Sequence, residues 1–155
     1  MKRSEVKAAQ EEVRGILTEA GIPIPPDAEI EIADFGLNNY RKEGLGLVVR
    51  INEPEYCSKW LTLLPGQVCP WHHHDVKKET FFIHKGGVSL WVEEDGTEKE
   101  IILKPGEHYT LRPGQDHMFT STERTVIEEV STHDENADSI FRNSNIIRDP
   151  VIEED

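Results

Sequence analysis

Residues 65–86 read PGQVCPWHHHDVKKETFFIHKG. In an extended strand successive side chains alternate faces, so His72 and His74 point one way and His73 the other. Glu79 follows five positions after His74. That is far enough for the chain to turn and bring a carboxylate oxygen to the point where the two imidazoles converge. Two imidazoles and a carboxylate suit a borderline divalent cation such as Mn²⁺, Fe²⁺, Co²⁺, Ni²⁺ or Zn²⁺, and three ligands leave coordination positions open. An exposed polar loop, or histidines satisfied inside a core, would explain a lone histidine but not this spacing.

Outward from this stretch the chain is rich in β-formers. The runs EIEIAD, LGLVVRI, YCSKWLTLL, ETFFIH, VSLWVEE, EIILK, HYTL, HMFTS and RTVIEEV are punctuated by Pro65-Gly66, Gly86-Gly87, Asp95-Gly96, Pro105-Gly106 and Pro113-Gly114. Many short strands with such turns predict an all-β sandwich or barrel. Ahead of them, Val6, Ala9, Val13, Ile16, Leu17 and Ala20 recur at helical spacing between Ser4 and Ala20, and Gly21 and Pro23 supply a stop. This predicts one amphipathic N-terminal α-helix. The expected organisation is a single domain over residues 1–155: the helix in 1–22, the barrel over about 28–131, and an irregular segment over 132–155 ending in a solvated Glu153-Glu154-Asp155.

A further imidazole, His117, sits in LKPGEHYTLRPGQDHMFTS, after a Pro-Gly turn and before a β-rich run. With it the chain resembles the cupin superfamily. Gly66, five residues, His72, one residue, His74, four residues, Glu79, six residues and Gly86 match the first cupin motif without departure. Gly106, Gly114 and His117 match the second, although Pro113 stands one place late and Ser121 occupies a position where Asn is common. The resemblance implies a single jelly-roll cupin β-barrel with one divalent metal held by His72, His74, Glu79 and His117. His84, His108 and His133 have no partner at ligand spacing and are read as ordinary polar residues.

Composition narrows the classes of partner. With 30 Asp and Glu against 17 Lys and Arg the formal charge is −13, which repels phosphate backbones and anionic lipid surfaces. Neither a nucleic acid nor a membrane is expected as a partner. No apolar stretch follows Lys2 and Arg3, so the chain is expected in the cytoplasm. Cys57 and Cys69 fall outside any Cys-x-x-Cys arrangement and are read as reduced thiols, with a cross-strand pair as the alternative.

Fold does not determine chemistry, so the residues beside the metal site must choose the reaction. Lys77 precedes Glu79 by two and would share its face in an extended chain, though spacing alone favours two solvated lysines at Lys77 and Lys78. Of Glu128 and Glu129, one faces inward if RTVIEEV is a regular strand. From about Asp34 onward the chain resembles D-lyxose isomerases, through DFGL, YCSK, PGQVCPWHHH, the segment Lys77 to Phe81, LKPGEHYTLRPGQDH and EEVSTHDENADSIFRNSNIIRDPVIEED.

That resemblance implies a metal-dependent aldose-ketose isomerase, interconverting D-lyxose and D-xylulose, or D-mannose and D-fructose, by enediol proton transfer. Its acid-base pair would be Lys77 and Glu129, its metal Mn²⁺ ahead of Co²⁺, Fe²⁺, Ni²⁺ or Zn²⁺, and its assembly a homodimer, which an exposed edge such as LGLVVRI would permit. Substrate-binding candidates are Lys59, Phe81, Phe119 and Asp138. Lys59 is otherwise a surface lysine, the phenylalanines ordinary barrel filling, and Asp138 an exposed loop aspartate or an acceptor for a sugar hydroxyl. An insertion that some of these isomerases carry between the two metal motifs is absent here. Two other readings stay open: an accessory sugar-binding cupin like the modules of sialic-acid-type synthases, and an iron-dependent dioxygenase.

Overall fold

The computed structural model describes all residues 1–155. Helix α1 spans Arg3–Glu19, and the Lys2 amide donates to the Glu5 carboxylate at 2.7 Å across its first turn. Val6, Ala9, Val13, Ile16 and Leu17 form its buried face, and they pack against Ile30, Ile32, Val48, Trp60 and Val126 on the outer face of a β-sheet. Gly46 allows this close approach: a Cβ there would stand 2.3 Å from Val13 Cγ2 and 2.7 Å from Thr62 Oγ1.

Two sheets follow, and every strand pair in them is antiparallel. The larger contains, in spatial order, β1 (Ile30–Ala33), β2 (Leu45–Asn52), β3 (Cys57–Leu63), β10 (Thr125–Ser131), β5 (Glu79–Lys85) and β8 (His108–Leu111). The smaller contains β11 (Ile140–Phe141), β4 (Val68–His73), β9 (His117–Thr120), β6 (Val88–Glu94) and β7 (Thr97–Leu103). The fold is thus all-β, two facing antiparallel sheets with one N-terminal helix, as the resemblance implied. Between the sheets lies a second core that includes Leu47, Leu61, Leu63, Ile83, Leu90, Leu111 and Ile127. Part of this core, including Leu47, Leu61, Phe81 and Phe119, lines the cavity that holds the polar cluster described below.

The glycine that closes the first motif has a steric reason. Gly86 takes φ 81° between β5 and β6, and a Cβ there would meet Thr125 Oγ1 at 2.4 Å and the Arg124 carbonyl at 2.7 Å.

Two expectations are corrected. LGLVVRI is β2, and β1 covers its Leu45–Val48 part, so only Val49–Ile51 is left without a strand on that side. The segment 132–155 is not wholly irregular: it forms a 3-10 turn at Asn136–Asp138 and the short strand β11, which pairs with His72 and His73 of β4. Its end, Glu153-Glu154-Asp155, is solvent-exposed as expected but tethered to the N-terminus. The Arg3 amide donates to the Glu153 carbonyl at 2.8 Å, the Glu153 amide to the Met1 carbonyl at 3.0 Å, and Arg3 pairs with Glu154. Sequence periodicity is silent here because these contacts join residues about 150 positions apart.

Candidate metal centre and its acid-base neighbours

His72, His74, Glu79 and His117 all turn into the interior, and one ligand atom from each lies within 4.8 Å of the others. The strand β4 needs an irregularity to do this. Cys69 pairs with Phe119 and His72 with His117, with a register shift between them. Cys69 and His72 both line the interior although they are three positions apart, and Pro70, which has no N–H for the ladder, sits inside the shift. His73 points the other way, towards Asp75 at 3.2 Å and Asp116 at 3.9 Å.

Backbone carbonyls set the orientation of all three rings. His72 Nδ1 lies 2.8 Å from the Pro70 carbonyl, His117 Nδ1 3.0 Å from that of Gln115, and His74 Nδ1 3.0 Å from that of Asp138. A carbonyl only accepts, so each Nδ1 carries the proton and each Nε2 keeps its lone pair for the common centre. Burial, reinforced by the neighbouring His117 and His74, holds His72 well below its ordinary pKa and keeps it neutral.

His74 Nε2 and His117 Nε2 lie 3.3 and 3.1 Å from Glu79 Oε1. Neither contact makes an aligned hydrogen bond, and Glu79 Oε1 and His117 Nε2 are buried without a partner. Unpartnered buried acceptors are costly, and three imidazoles beside one carboxylate make a ligand set that a divalent cation satisfies. The residues therefore fit such an ion. Burial pushes the Glu79 carboxyl up, but the adjacent Lys77 ammonium outweighs it and holds it well below the usual carboxylate range.

Lys77 is buried and not solvated. Its Nζ lies 2.7 Å from Asp134 Oδ1, 3.2 Å from Glu79 Oε2 and 3.4 Å from Glu129 Oε2. Burial favours its neutral form, yet Glu79, Glu129 and Asp134 together hold its pKa well above the ordinary value, so it is an ammonium. Strand β10 turns Glu129 inward and leaves Glu128 outside, where it pairs with Arg50 at 2.9 Å. Glu129 faces the opposite influence: burial, with Glu79 close by, raises its carboxyl above the ordinary range despite Lys77 and Lys59. A carboxylate made more basic and an ammonium made less acidic thus share one cavity beside the ligand cluster.

Lys59 is also buried, directly opposite Glu129 in the β3–β10 ladder, and its Nζ lies 2.7 Å from Asp134 Oδ2. The surface reading of Lys59 is therefore wrong. Phe81 and Phe119 line the same cavity, with ring centroids 5.2 Å apart. Asp138 does not line it. Its carboxylate instead accepts from the amides of Asp75, Val76 and Lys77, so it has no free oxygen face turned towards a sugar.

The sequence reading missed Asp134, Phe35, Phe141 and Arg148, all of which line the cavity. Asp134 bridges both lysines, and burial notwithstanding, Lys59 and Lys77 drive its carboxyl far below the ordinary range. It lies in a polar run, THDEN, that has no period to single it out. Phe35 adopts φ 57°, unusual for a residue with a side chain, and packs its ring 5.5 Å from that of Phe141. The ring of Phe141 in turn lies 5.2 Å from that of His72. Arg148, on the returning C-terminal segment, is tied to Glu31 at 2.7 Å.

Comparison with known proteins supplies a family. The Cupin domain profile matches residues 59–131. A D-lyxose/D-mannose isomerase of Thermosediminibacter oceani is 38% identical, the alignment covering 99% of each chain. A D-lyxose ketol-isomerase of Cohnella laeviribosi is 36% identical over 100% of both. Among solved structures, the L-ribose isomerase of Cellulomonas parahominis with L-ribose aligns over 94% of each chain with a TM-score of 0.81 at 16% identity, a likeness of fold.

Proposed function

The chain belongs to the D-lyxose ketol-isomerase family of cupins, and from that premise we propose that it interconverts an aldose and its ketose, D-lyxose with D-xylulose and also D-mannose with D-fructose, with Lys77 and Glu129 as the acid-base pair. The observation that carries the reading is the placing of a buried ammonium and a raised buried carboxyl on one wall of the cavity that holds the His72, His74, Glu79 and His117 cluster.

Aldose-ketose conversion takes a proton from the carbon beside the carbonyl and returns one to the neighbouring carbon, while a proton passes between the two oxygens. Glu129 in its ionised form accepts the carbon-bound proton and delivers it to the adjacent carbon. Its raised pKa makes it a better base than an exposed carboxylate. Lys77 donates towards the oxygen that gains negative charge, and its three carboxylate neighbours keep it charged and aimed. His72, His74, Glu79 and His117 would hold a divalent cation, Mn²⁺ in this proposal, and when bound it would supply Lewis acidity towards the carbonyl and the developing negative charge. Lys59 and the rings of Phe81 and Phe119 shape the space for the sugar, and the apolar walls limit water.

In this reading the whole chain acts as one domain, in the cytoplasm, as a homodimer. The exposed apolar pair Phe82 and Val130 on neighbouring strands of the larger sheet supports a contact there, and light scattering on the eluted protein tests it. Anaerobic incubation of Mn²⁺-loaded protein with a panel of aldoses and ketoses, followed by chromatography, tests the activity. Conversion without O₂ is expected. Binding without conversion would return an accessory sugar-binding module, and a strict need for Fe²⁺ and O₂ a dioxygenase.

A further inference from the structure

Between His74 and Lys78 the chain leaves β4 and turns through solvent. The side chains of Asp75 and Val76 are exposed. The ends of the segment are tied: the His74 carbonyl accepts from the Gly114 amide at 2.7 Å, and the Lys78 amide donates to Thr132 Oγ1 at 3.1 Å. The three amides in between all converge on one side chain. Asp138 Oδ1 accepts from Asp75 at 2.9 Å and Val76 at 3.2 Å, and Asp138 Oδ2 from Lys77 at 2.9 Å and Val76 at 3.3 Å.

Successive amides aimed at one anion form a concave nest, here closed from within the chain. The same residue's carbonyl receives the Nδ1–H of His74 at 3.0 Å. Asp138 thus touches both ends of the problem: the ring that faces the ligand cluster and the backbone from which the Lys77 ammonium projects.

We propose that Asp138 is a positioning residue that sets His74 and Lys77 relative to one another. The strict five-residue step from His74 to Glu79 is then insufficient on its own; the turn within it must be pinned from outside, and the 3-10 turn Asn136–Asp138 provides the pin. Because Asn136 and Ser139 line the cavity, the clamp also fixes that wall to the ligand cluster. Its effect on proton transfer rests on the isomerase reading, whereas its effect on the imidazole and the amides does not.

The test therefore has two readouts that need no sugar. Affinity for Zn²⁺, taken as the metal alone, is measured by competition with a chromophoric chelator, and hydrogen exchange is followed at the amides of Asp75, Val76 and Lys77. Disturbing the support of a metal-bound imidazole typically costs about 10- to 100-fold in metal affinity. Asp138→Ala keeps the carbonyl that accepts from His74 but removes the carboxylate that pins the turn and so holds that carbonyl in place, so it should weaken Zn²⁺ by up to that order and speed exchange at those three amides, while amides of β3 and β10 keep their protection. Asp138→Asn keeps one acceptor oxygen, so its affinity should fall between wild type and Ala, with faster exchange at either the Asp75 or the Lys77 amide. Should the Ala variant not fold, the Asn variant decides alone.

Wild-type affinity and exchange in Asp138→Asn, or loss of protection throughout the barrel with no restoration by Asn, overturns the proposal. If loaded wild-type protein converts no sugar while these shifts persist, the isomerase reading fails and the clamp stands.

Discussion

Lys77 Nζ lies 3.4 Å from Glu129 Oε2, and both side chains are buried. Lys77 comes from the turn before β5 and Glu129 from the middle of β10, so two elements meet at one point of the cavity. Glu129→Gln keeps the shape and most hydrogen bonding of the side chain but removes its basicity. A loss of about 10² to 10⁴ in kcat is expected, with a smaller change in KM and full metal content by elemental analysis. Glu128→Gln, which alters only an exposed pair with Arg50, should remain active.

His117→Ala and His72→Ala should each lose bound metal and turnover together, since every imidazole has its Nδ1 committed to a carbonyl and no other ring can replace it. Full metal occupancy in purified His117→Ala would contradict its place among the ligands.

The pH dependence follows from the direction of the Glu129 shift. Burial raises that carboxyl, so its base form is lost at a higher pH than an exposed glutamate's, and the acid limb of kcat/KM should lie above the ordinary carboxylate range. Metal occupancy should also fall in acid, because protons compete with the ion for its ligands, and since His72 and Glu79 are both held well below their ordinary values, their share of that loss lies on the acid side of the range of a free imidazole and a free carboxylate. An acid limb at the value of an exposed carboxylate would contradict the first statement.

Asp134 neutralises two buried ammoniums at 2.7 Å each. Its carboxyl is depressed in the folded state, so its stabilisation is present above the ordinary aspartate pKa and lost as pH falls through the depressed one. Breaking a buried pair from one side costs about 3 to 5 kcal/mol. Asp134→Asn should approach the lower figure in chemical denaturation, because Lys77 retains Glu79 and Glu129, and should lower kcat as Lys77 loses its shortest contact.

Gly46→Ala tests the packing of α1. Its Cβ would collide with Val13 Cγ2, and overpacking of this kind costs about 1 to 3 kcal/mol. Metal affinity should be unchanged, because the helix lies on the outer face of the sheet.

What the sequence determined by itself was whatever repeats with a short period or a fixed local step. The alternation in VSLWVEE and RTVIEEV, the helical spacing from Val6 to Leu17 and the intervals from Gly66 to Gly86 each reflect a constraint spanning a few residues, and strand parity alone turns one of Glu128 and Glu129 inward. The tertiary structure decided what depends on distant residues meeting. It alone turns Lys59 and Lys77 from candidates for the surface into buried cations, because Asp134, 75 and 57 positions away, supplies their counter-charge. It alone covers Leu45–Val48 of β2 by pairing them with β1, and it diverts Asp138 from the cavity to the amides of the turn at Asp75 to Lys77. No local pattern encodes these placements, because charge neutralisation and amide satisfaction act through space between segments whose separation along the chain carries no period.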